Sequence, residues 1–576
     1  MTRPLTPENQ ALGRLNWTWQ DLLLIFAIIT LIFAIVRTAT NFTGAYNPTF
    51  QVDTSLSVLP SYTLQTLIRM GVAYSCSLIF TLVYAYSAYR YKSVAKILIP
   101  LLDILQSIPV LSIAPGVVLA LIALFPGQRI GIEIAAILMI FTGMTWNMVF
   151  SFYQSLRGIP SELKEAAKIY GLSDWQRFWT LELPSGAIGL VWNSVMSVAG
   201  GWFFLIAIES LTLGDKNFRL PGLGSYLGAA ADKGDFIALI WGLVVLIGVI
   251  IATDYFVWRP LITWAEKFKY ESIESENVPT SAVLDFIRRS PTIRVMTERI
   301  WQPLTSALSR PTRNQAPKVV APNSNSPLGQ WINWLFVSGL GFIVLWGTWE
   351  AVMMLRLLSF SDWQSVIIGA IWTSIRVFIA LILSLLWTIP VGVIIGRNPK
   401  LAQLLQPIVQ IAASVPATAL FPVLLLFLIR IGGGLTIGSV ALMMLGTMWY
   451  ILFNVIAGAQ AIPSELFEAA TVYKLKPIQR WRTVILPGIF PYLVTGIITA
   501  VGGAWNASIV SEYIQFQGQT ITTPGLGSII SQASATGKYP LLLAATVVMS
   551  ILVVLTNRLV WRPLYHLAQE KYQLLV

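Results

Sequence analysis

The sequence has little of what most enzymes and secreted domains depend on. Its 576 residues include one cysteine, Cys76, and one histidine, His566. A single cysteine excludes an intrachain disulfide, and this inventory leaves almost no room for a His/Cys metal cluster or a Ser-His-Asp triad. We therefore expect a non-catalytic protein with no metal site. His566 lies beyond the last apolar run and is interpreted as an ordinary surface residue.

Charge is also scarce. Charged residues make up 11 % of the chain, against about a quarter in soluble domains. Apolar residues make up 56 %, with 22 Trp and 27 Phe, and the mean hydropathy is +0.70. These values exclude a single soluble domain, a disordered chain and a nucleic-acid-binding tail. The formal net charge of +12 fits basic loops on the cytoplasmic side of a membrane, so the composition predicts a polytopic membrane protein.

Apolar runs recur along both halves of the chain. Since open sheet edges are not tolerated in hydrocarbon, we expect every span to be a helix. The first span is Leu22–Val36. The other expected spans are about 62–88, 97–125, 130–156, 184–212 and 235–258 in the first half, and 331–355, 362–396, 404–430, 433–460, 486–513 and 538–560 in the second.

The distribution of Lys and Arg sets the expected orientation and the domains. Basic residues are denser in the loops that share a side with the N-terminus, so both termini are expected in the cytoplasm. Residues 266–330 are polar, with basic clusters and a Pro/Asn/Ser-rich stretch, and we interpret them as a solvated tether. In the alternative interpretation, the basic residues contact anionic lipid. The domains are 1–61 (N-terminal segment, first span and outer loop), 62–265 (first repeat), 266–330 (cytoplasmic linker), 331–361 (first helix of the second half) and 362–576 (second repeat).

The two halves are copies of each other. A shift of 303 aligns Ile159–Pro184 with Ile462–Pro487, and 15 of 26 positions are identical. Nearer the N-terminus the shift is 307 and aligns Arg69 with Arg376. Such a fixed offset indicates duplication. With an even number of spans in each copy, the repeats would be parallel, related by a pseudo-two-fold axis along the membrane normal, with a solute pathway on that axis.

The best-preserved segment is a loop expected on the cytoplasmic side. Ser161 is a candidate N-cap, and Glu162 and Glu165 fall in the first turn of a short helix, where the helix dipole favours acids. Leu163, Ala166, Ala167 and Tyr170 have the spacing of one apolar face, and Gly171 can end the helix. The second copy repeats the pattern at Ser464, Glu465, Leu466, Glu468, Ala469, Ala470 and Tyr473.

At these residues the chain resembles the permease subunits of ATP-binding-cassette (ABC) importers. The hallmark loop appears as Glu165-Ala166-Ala167, then Gly171, and then Leu181-Glu182-Leu183-Pro184. The resemblance implies two tandem six-helix repeats of the type I importer fold, whose loop helices dock on two ABC ATPase subunits or domains. Lys474 replaces the glycine in the second copy, so we expect that helix to end differently. The coupling residues so implied are Ser161, Glu162, Glu165, Ala166, Ala167, Gly171, Ser464, Glu465, Glu468, Ala469, Ala470 and Lys474.

Further residues are similar to a narrower branch of these importers, for nitrate, sulfonates, taurine and bicarbonate. They are Glu209 with Gly222-Leu223-Gly224, and Glu512 with Gly525-Leu526-Gly527. The resemblance implies a bacterial inner-membrane location, a small oxyanion as solute, and ATP and Mg on the partner ATPase, with no cofactor in this chain. A cationic amine or a short peptide stays open as solute, and so does delivery by a solute-binding protein. The sequence contains no phosphate-binding G-x-x-x-x-G-K-[ST] loop. We expect membrane lipid and a small-molecule solute as other partners, and no nucleic acid.

Intramembrane polar and aromatic residues are the candidates for the solute pathway. Each has a structural alternative: interfacial packing for the arginines, ion pairing for the acids, interhelical hydrogen bonds for the residues beside prolines, and core packing for the tryptophans. Acids on an anion pathway would need basic partners. The candidates are Gln106, Ser107, Ser414, Trp202, Trp505, Asn506, Arg69, Arg376, Glu209 and Glu512.

Two other functions remain open at this point. A secondary transporter driven by an ion gradient also uses parallel repeats, although nothing in such a carrier calls for a duplicated docking loop. A scaffold without transport is the weaker alternative.

Overall fold

The computed structural model shows an all-α polytopic membrane protein. It describes residues 52–268 and 345–571, apart from 107, 127, 129, 214–215, 432–433 and 517–518, together with a few isolated residues between 284 and 342. Eight described helices are long and apolar enough to cross a membrane, or nine if one bent pair counts as a span. The predicted span Leu22–Val36 and nearly all of the predicted linker lie outside the described residues, and the predicted span at 331–355 is described as helix from 345 to 355.

The first half is built from long helices joined by short helices and one hairpin. A 3₁₀ turn, Leu56–Val58, precedes the first of them. The helices are α1 (Leu59–Arg90), α2 (Lys92–Leu105), α3 (Val110–Leu124), α4 (Ile130–Arg157), α5 (Ser161–Ile169), α6 (Asp174–Arg177), α7 (Leu183–Glu209), α8 (Leu223–Lys233), α9 (Phe236–Thr253) and α10 (Arg259–Ala265). Strands β1 (Thr212–Leu213) and β2 (Lys216–Asn217) are antiparallel, π-turns cover Phe178–Glu182 and Asp254–Trp258, and a 3₁₀ turn covers Glu266–Phe268.

The second half repeats this order. Its helices are α11 (Phe360–Arg397), α12 (Pro399–Ser414), α13 (Ala417–Ile431), α14 (Gly434–Ala461), α15 (Ser464–Val472), α16 (Pro477–Arg480), α17 (Leu486–Ser511), α18 (Leu526–Ala535), α19 (Tyr539–Thr556) and α20 (Arg562–Lys571). Strands β3 (Tyr513–Phe516) and β4 (Gln519–Thr522) form its hairpin, and π-turns cover Trp481–Ile485 and Asn557–Trp561. The offset between equivalent elements changes between α3 and α4, where the first half has the longer connection.

The predicted spans at 97–125 and 404–430 each consist of two helices rather than one continuous helix. The break falls before Pro109 in the first half and at Val415-Pro416 in the second, where α12 and α13 meet at 80°. A proline disfavours helical geometry at the residue before it and supplies no N–H donor to the preceding turn. The serine-apolar-proline sequence therefore ends one helix and starts another within the apolar run.

The broken segments pack against the opposite repeat. Val110, Leu111 and Val118 of α3 belong to a core that contains Trp505 of the second half. Phe421 of α13 belongs to a core made mostly of first-half residues. The amide of Leu111 also donates to Asn506 Oδ1 at 3.4 Å. The two halves therefore share their cores across the centre of the bundle.

The bundle has two chemically different ends, and its long sides are apolar. We call the end that carries α5 and α15 the loop end, and the end that carries the two hairpins and the starts of α8 and α18 the hairpin end. The outward faces of the long helices expose aliphatic side chains such as Ile79, Val83 and Leu386. Such faces suit lipid contact, since hydrocarbon satisfies no polar group.

Candidate functional site

One short helix follows the long helix α4 or α14 in each half, and we call α5 and α15 the loop helices. Both begin directly after a proline, Pro160 or Pro463, whose extended backbone stands at the N-cap. Ser161 is therefore the first helical residue, and the prediction of its side chain as the N-cap is wrong. Pro160 has a fixed φ of −54° and carries no side-chain acceptor, so no side-chain cap bond forms at this helix start.

The two loop helices end with the same backbone geometry. Gly171 has φ +64° and Lys474 has φ +51°. In the first half the amide of Leu172 donates to Ala167 O at 3.1 Å, and in the second half the amide of Leu475 donates to Ala470 O at 3.0 Å. The expectation that Lys474 ends its helix differently is therefore wrong, since the lysine adopts the left-handed conformation that glycine adopts in the first copy.

Each loop helix packs one alanine inward and leaves most of its length exposed. Ala167 and Ala470 are buried. Tyr170 is 82 % exposed and Tyr473 is 78 % exposed, so Tyr170 does not join the inward face on which its spacing placed it. Ser161, Glu162, Glu165, Gly171, Ser464, Glu465, Glu468, Ala469 and Lys474 are exposed, while Ala166 is half-buried. Exposed apolar side chains beside acids are typical of a docking surface.

A cation–π contact fixes each loop helix to the body, but the partners are exchanged between the halves. In the first half Lys164 of α5 lies over the ring of Tyr89 at the end of α1, 5.7 Å from its centroid. In the second half the aromatic ring belongs to the loop helix, where the Arg397 guanidinium lies 3.3 Å from the Phe467 centroid. The same anchorage has therefore been kept with different side chains.

A cavity of about 220 Å³ lies between the halves toward the loop end. Its described lining holds no acidic or basic side chain and comes from both repeats. Trp146 and Trp561 line it, and their indole N–H groups are buried without an acceptor among the described residues. Among the predicted pathway residues, Gln106 and Asn506 line this loop-end cavity; the other polar lining residues are Thr142, Asn147, Tyr450, Thr499 and Asn557.

A second cavity, of about 240 Å³, lies toward the hairpin end. Val110 and Ala417 line the loop-end cavity, and the next residues, Leu111 and Thr418, line this hairpin-end cavity. The two cavities are therefore stacked along the centre and meet at the first turns of α3 and α13. The Leu111–Asn506 hydrogen bond lies at this junction.

Four predicted pathway residues lie elsewhere or remain undescribed. Trp202 and Trp505 are 2 % and 3 % exposed within the two cores and are not among the described lining residues of either cavity. Ser414 donates to the carbonyl of Gln410 at 2.9 Å. Ser107 lies outside the described residues. The structure thus assigns the two tryptophans to core packing.

The predicted arginines and acids form two buried clusters at the hairpin end. Arg69 bonds Glu209 and, at 2.6 Å, Glu133. Arg376 bonds Glu512 at 2.9 Å. The structure places these arginines and acids in ion pairs, outside the described lining of both cavities.

Each cluster holds the start of α8 or α18. Glu209 accepts from the amide of Gly224, and Thr66 Oγ1 accepts from the amide of Leu223 and donates to Glu209. The second half makes the same bonds through Glu512 and Thr373. A Cβ at Gly222 would lie 2.4 Å from the Glu209 carboxyl group, so this glycine is required by close approach. The Glu…Gly-Leu-Gly motif, whose resemblance pointed to the oxyanion importers, thus anchors the start of a helix in each half. The sequence analysis missed this role.

Comparison with known proteins agrees with this architecture. The model of the binding-protein-dependent transport system inner membrane component family matches residues 77–258 and 388–561, which together are more than half of the chain. The chain is 27 % identical over 205 residues to the taurine transport system permease protein of Escherichia coli strain K12, a match that covers 35 % of this chain and 71 % of the relative.

Two further relatives are similar. A nitrate import permease protein of Leptolyngbya laminosa is 26 % identical over 185 residues, covering 32 % of this chain and 63 % of the relative. A bicarbonate transport system permease protein of Synechocystis sp. is 27 % identical over 197 residues, covering 32 % and 69 %. The chain thus spans about two thirds of the length of these relatives. With two matching segments in one polypeptide, it belongs to the binding-protein-dependent transport system inner membrane component family.

Proposed function

We propose that this chain is the transmembrane permease subunit of an ATP-driven importer for a small oxyanion. The observation that carries the proposal is the pair of loop helices, which share one backbone geometry and expose Glu165, Tyr170, Glu468 and Tyr473 at one end of the bundle. A duplicated, exposed surface on a two-fold bundle fits a partner that is itself two-fold. That partner is a pair of ABC ATPase subunits or domains, which carry the ATP and Mg.

Orientation follows from this partner. The ATPases lie in the cytoplasm, so the loop end faces the cytoplasm and the hairpin end faces the outside of a bacterial inner membrane, with both termini inside. A solute-binding protein would deliver the solute to the hairpin end. The basic charge near the loop end, with Lys476 and Arg482 exposed, also suits anionic lipid headgroups.

The solute class rests on the relatives and on the character of the pathway. The similar permeases are named for taurine, nitrate and bicarbonate. The loop-end cavity is lined by Trp146 and Trp561, whose buried indole N–H groups have no acceptor among the described residues, and by no described carboxylate. Donors without charge suit an anion in transit, because they bind it without trapping it.

The mechanism we propose is alternating access through the two stacked cavities. Because α3 packs on the second half and α13 on the first, rocking of the halves would move both broken segments together. Closure of the ATPases on ATP would draw the loop helices together and open the junction at Leu111 and Thr418 toward the hairpin end. Hydrolysis would return it.

The experiment is to combine Glu165→Arg with Glu468→Arg and measure ATP-driven uptake in proteoliposomes that contain the whole complex. We expect ATPase association to be lost and uptake to fall more than about tenfold, since reversing both charges removes any charge complementarity on which the docking surface depends. Glu570→Arg is the matched control, because this acid is exposed on α20, outside the loop helices. Full uptake by the double variant would contradict the proposal.

The alternative function is a secondary transporter driven by an ion gradient. The same liposomes separate the two. Uptake that needs ATP and continues after an ionophore collapses every ion gradient supports the permease subunit. Uptake by the purified chain alone, abolished by the ionophore, supports the secondary transporter. The purified chain without uptake or ATPase binding would indicate the scaffold.

A further inference from the structure

The hairpin-end cavity contains one ion pair and several unused donors. The Arg219 guanidinium donates to Asp232 through Nη2, and its side chain is 13 % exposed. Its Nε–H is buried without an acceptor among the described residues. Thr418 and Ser534 line the same cavity, and the hydroxyl groups of both lie buried behind its surface without a partner in the described part of the chain.

These three groups come from both repeats and converge on one space. Arg219 precedes α8 in the first half, whereas Thr418 lies on α13 and Ser534 on α18 of the second. A guanidinium N–H can only donate, and a hydroxyl hydrogen rotates toward whichever acceptor is present. A buried donor without an acceptor is unfavourable, so these residues favour an acceptor that small side-chain rotations would bring within reach.

The site is single rather than duplicated. Under the repeat offsets, Thr418 corresponds to Leu111, Ser534 to Ala231 and Asp232 to Ala535, all of which line the cavity as apolar side chains. Arg219 corresponds to Thr522, which is exposed and outside the described lining. The charged pair and the two buried hydroxyl groups therefore occur once in a chamber whose other polar lining residues are Ser210, Tyr513, Gln515 and Ser531. Such an asymmetric arrangement suits one small polar ligand.

We propose that the hairpin-end cavity is a binding site for a small oxyanion, in which Arg219 is the cationic anchor and Thr418 and Ser534 donate hydrogen bonds. Asp232 holds Arg219 when the site is empty and lowers the affinity for the anion by its own charge. A cavity of about 240 Å³ has room for such an ion with some of its water. The solute class rests on the proposed function, which the site deepens by giving the first anion contacts on the pathway.

The test is anion binding by the full-length chain in lipid nanodiscs, without ATPase. Sodium nitrate and sodium methanesulfonate are titrated calorimetrically at constant ionic strength in gluconate. We expect at least one of them to bind, Arg219→Gln to weaken that binding about tenfold, and Asp232→Asn to tighten it about tenfold, because removing one charge from a cavity ion pair changes its field strongly. Thr418→Val and Ser534→Ala should each weaken binding several-fold.

Thr522→Val is the matched control, because Thr522 is the repeat equivalent of Arg219 outside the cavity, and it should bind as the wild type does. Should Arg219→Gln fail to fold, the two hydroxyl variants and Asp232→Asn carry the test. Absence of binding to the wild-type chain, or unchanged affinity in Asp232→Asn, overturns the site. Because no ATPase is present, this outcome is independent of whether uptake proves to be ATP-driven.

Discussion

Lys474 occupies in the second half the left-handed backbone position that Gly171 occupies in the first. The φ angles are +51° and +64°, and the amides that follow make equivalent hydrogen bonds. A side chain in this conformation costs about 1 kcal/mol relative to glycine. The second loop helix is therefore held in its geometry by its surroundings, at the expense of local stability.

Lys474→Gly should stabilise the end of the second loop helix by about 1 kcal/mol. The measurement is hydrogen exchange at the amide of Leu475, which donates to Ala470 O; we expect it to slow about fivefold. Gly171→Ala should have the opposite effect at Leu172. Lys476→Gly is the control, because Lys476 has an ordinary φ of −64°. In this variant we expect exchange at the amide of Leu475 to be unchanged or faster. Equal exchange rates at the amide of Leu475 in Lys474→Gly and Lys476→Gly would contradict the backbone strain inferred at Lys474.

The two buried arginine clusters differ in how many carboxylates they contain. Arg69 bonds both Glu209 and Glu133, whereas Arg376 bonds Glu512 and, among the described residues, no second acid. Its Nε is also buried without a described partner. Loss of the Glu209 carboxylate should therefore leave Arg69 neutralised by its second acid. Loss of the Glu512 carboxylate should leave the charge of Arg376 without a described counter-ion.

Glu512→Gln should destabilise the chain by about 3–5 kcal/mol, the usual cost of breaking a buried ion pair from one side. Glu209→Gln should cost clearly less, because Glu133 still neutralises Arg69. Thermal unfolding of both variants in nanodiscs, monitored as the fraction of chain that stays monodisperse, compares their stabilities directly. A loss in Glu209→Gln as large as that in Glu512→Gln would show that the second carboxylate does not protect the first cluster.

The sequence was sufficient for the membrane class, the duplication and the loop helices, because these depend on local pattern: apolar length, fixed offset and the spacing of Glu165, Ala166 and Ala167. It was not sufficient for the long-range contacts. The pairing of Glu209 with Arg69 joins residues 140 positions apart, and the burial of Trp202 and Trp505 depends on how the repeats share their cores. The serine-apolar-proline pattern indicates a turn at Pro109 and at Pro416. The apolar length of each run nevertheless favoured one continuous helix.

The cation–π anchors should contribute unequally. The Arg397 guanidinium is 3.3 Å from the Phe467 centroid, while Lys164 is 5.7 Å from that of Tyr89. A double-mutant cycle of Arg397→Gln with Phe467→Leu should give a coupling energy of about 1 kcal/mol or more, and a cycle of Lys164→Gln with Tyr89→Leu should give about 0.5 kcal/mol or less. Unfolding of the purified chain measures both. A larger coupling in the first half would contradict the geometry.

Three tryptophans carry a buried indole N–H without an acceptor among the described residues, and they separate transport from stability. Trp146 and Trp561 line the loop-end cavity, whereas Trp505 lies in the core. Phenylalanine removes the N–H and keeps most of the ring. At Trp505 this change should raise stability by about 1 kcal/mol, because an unsatisfied donor is lost, and uptake should be unchanged.

Trp146→Phe and Trp561→Phe should instead raise the KM for anion uptake several-fold, because each removes an unpaired donor from a residue that lines the loop-end cavity, while the stability gain resembles that of Trp505→Phe. Uptake in proteoliposomes with the complete complex gives KM and kcat, and unfolding of the same preparations gives stability. If all three variants changed stability alone, the indole donors of the loop-end cavity would have no contact with the anion, and solute would pass without hydrogen bonds from that wall.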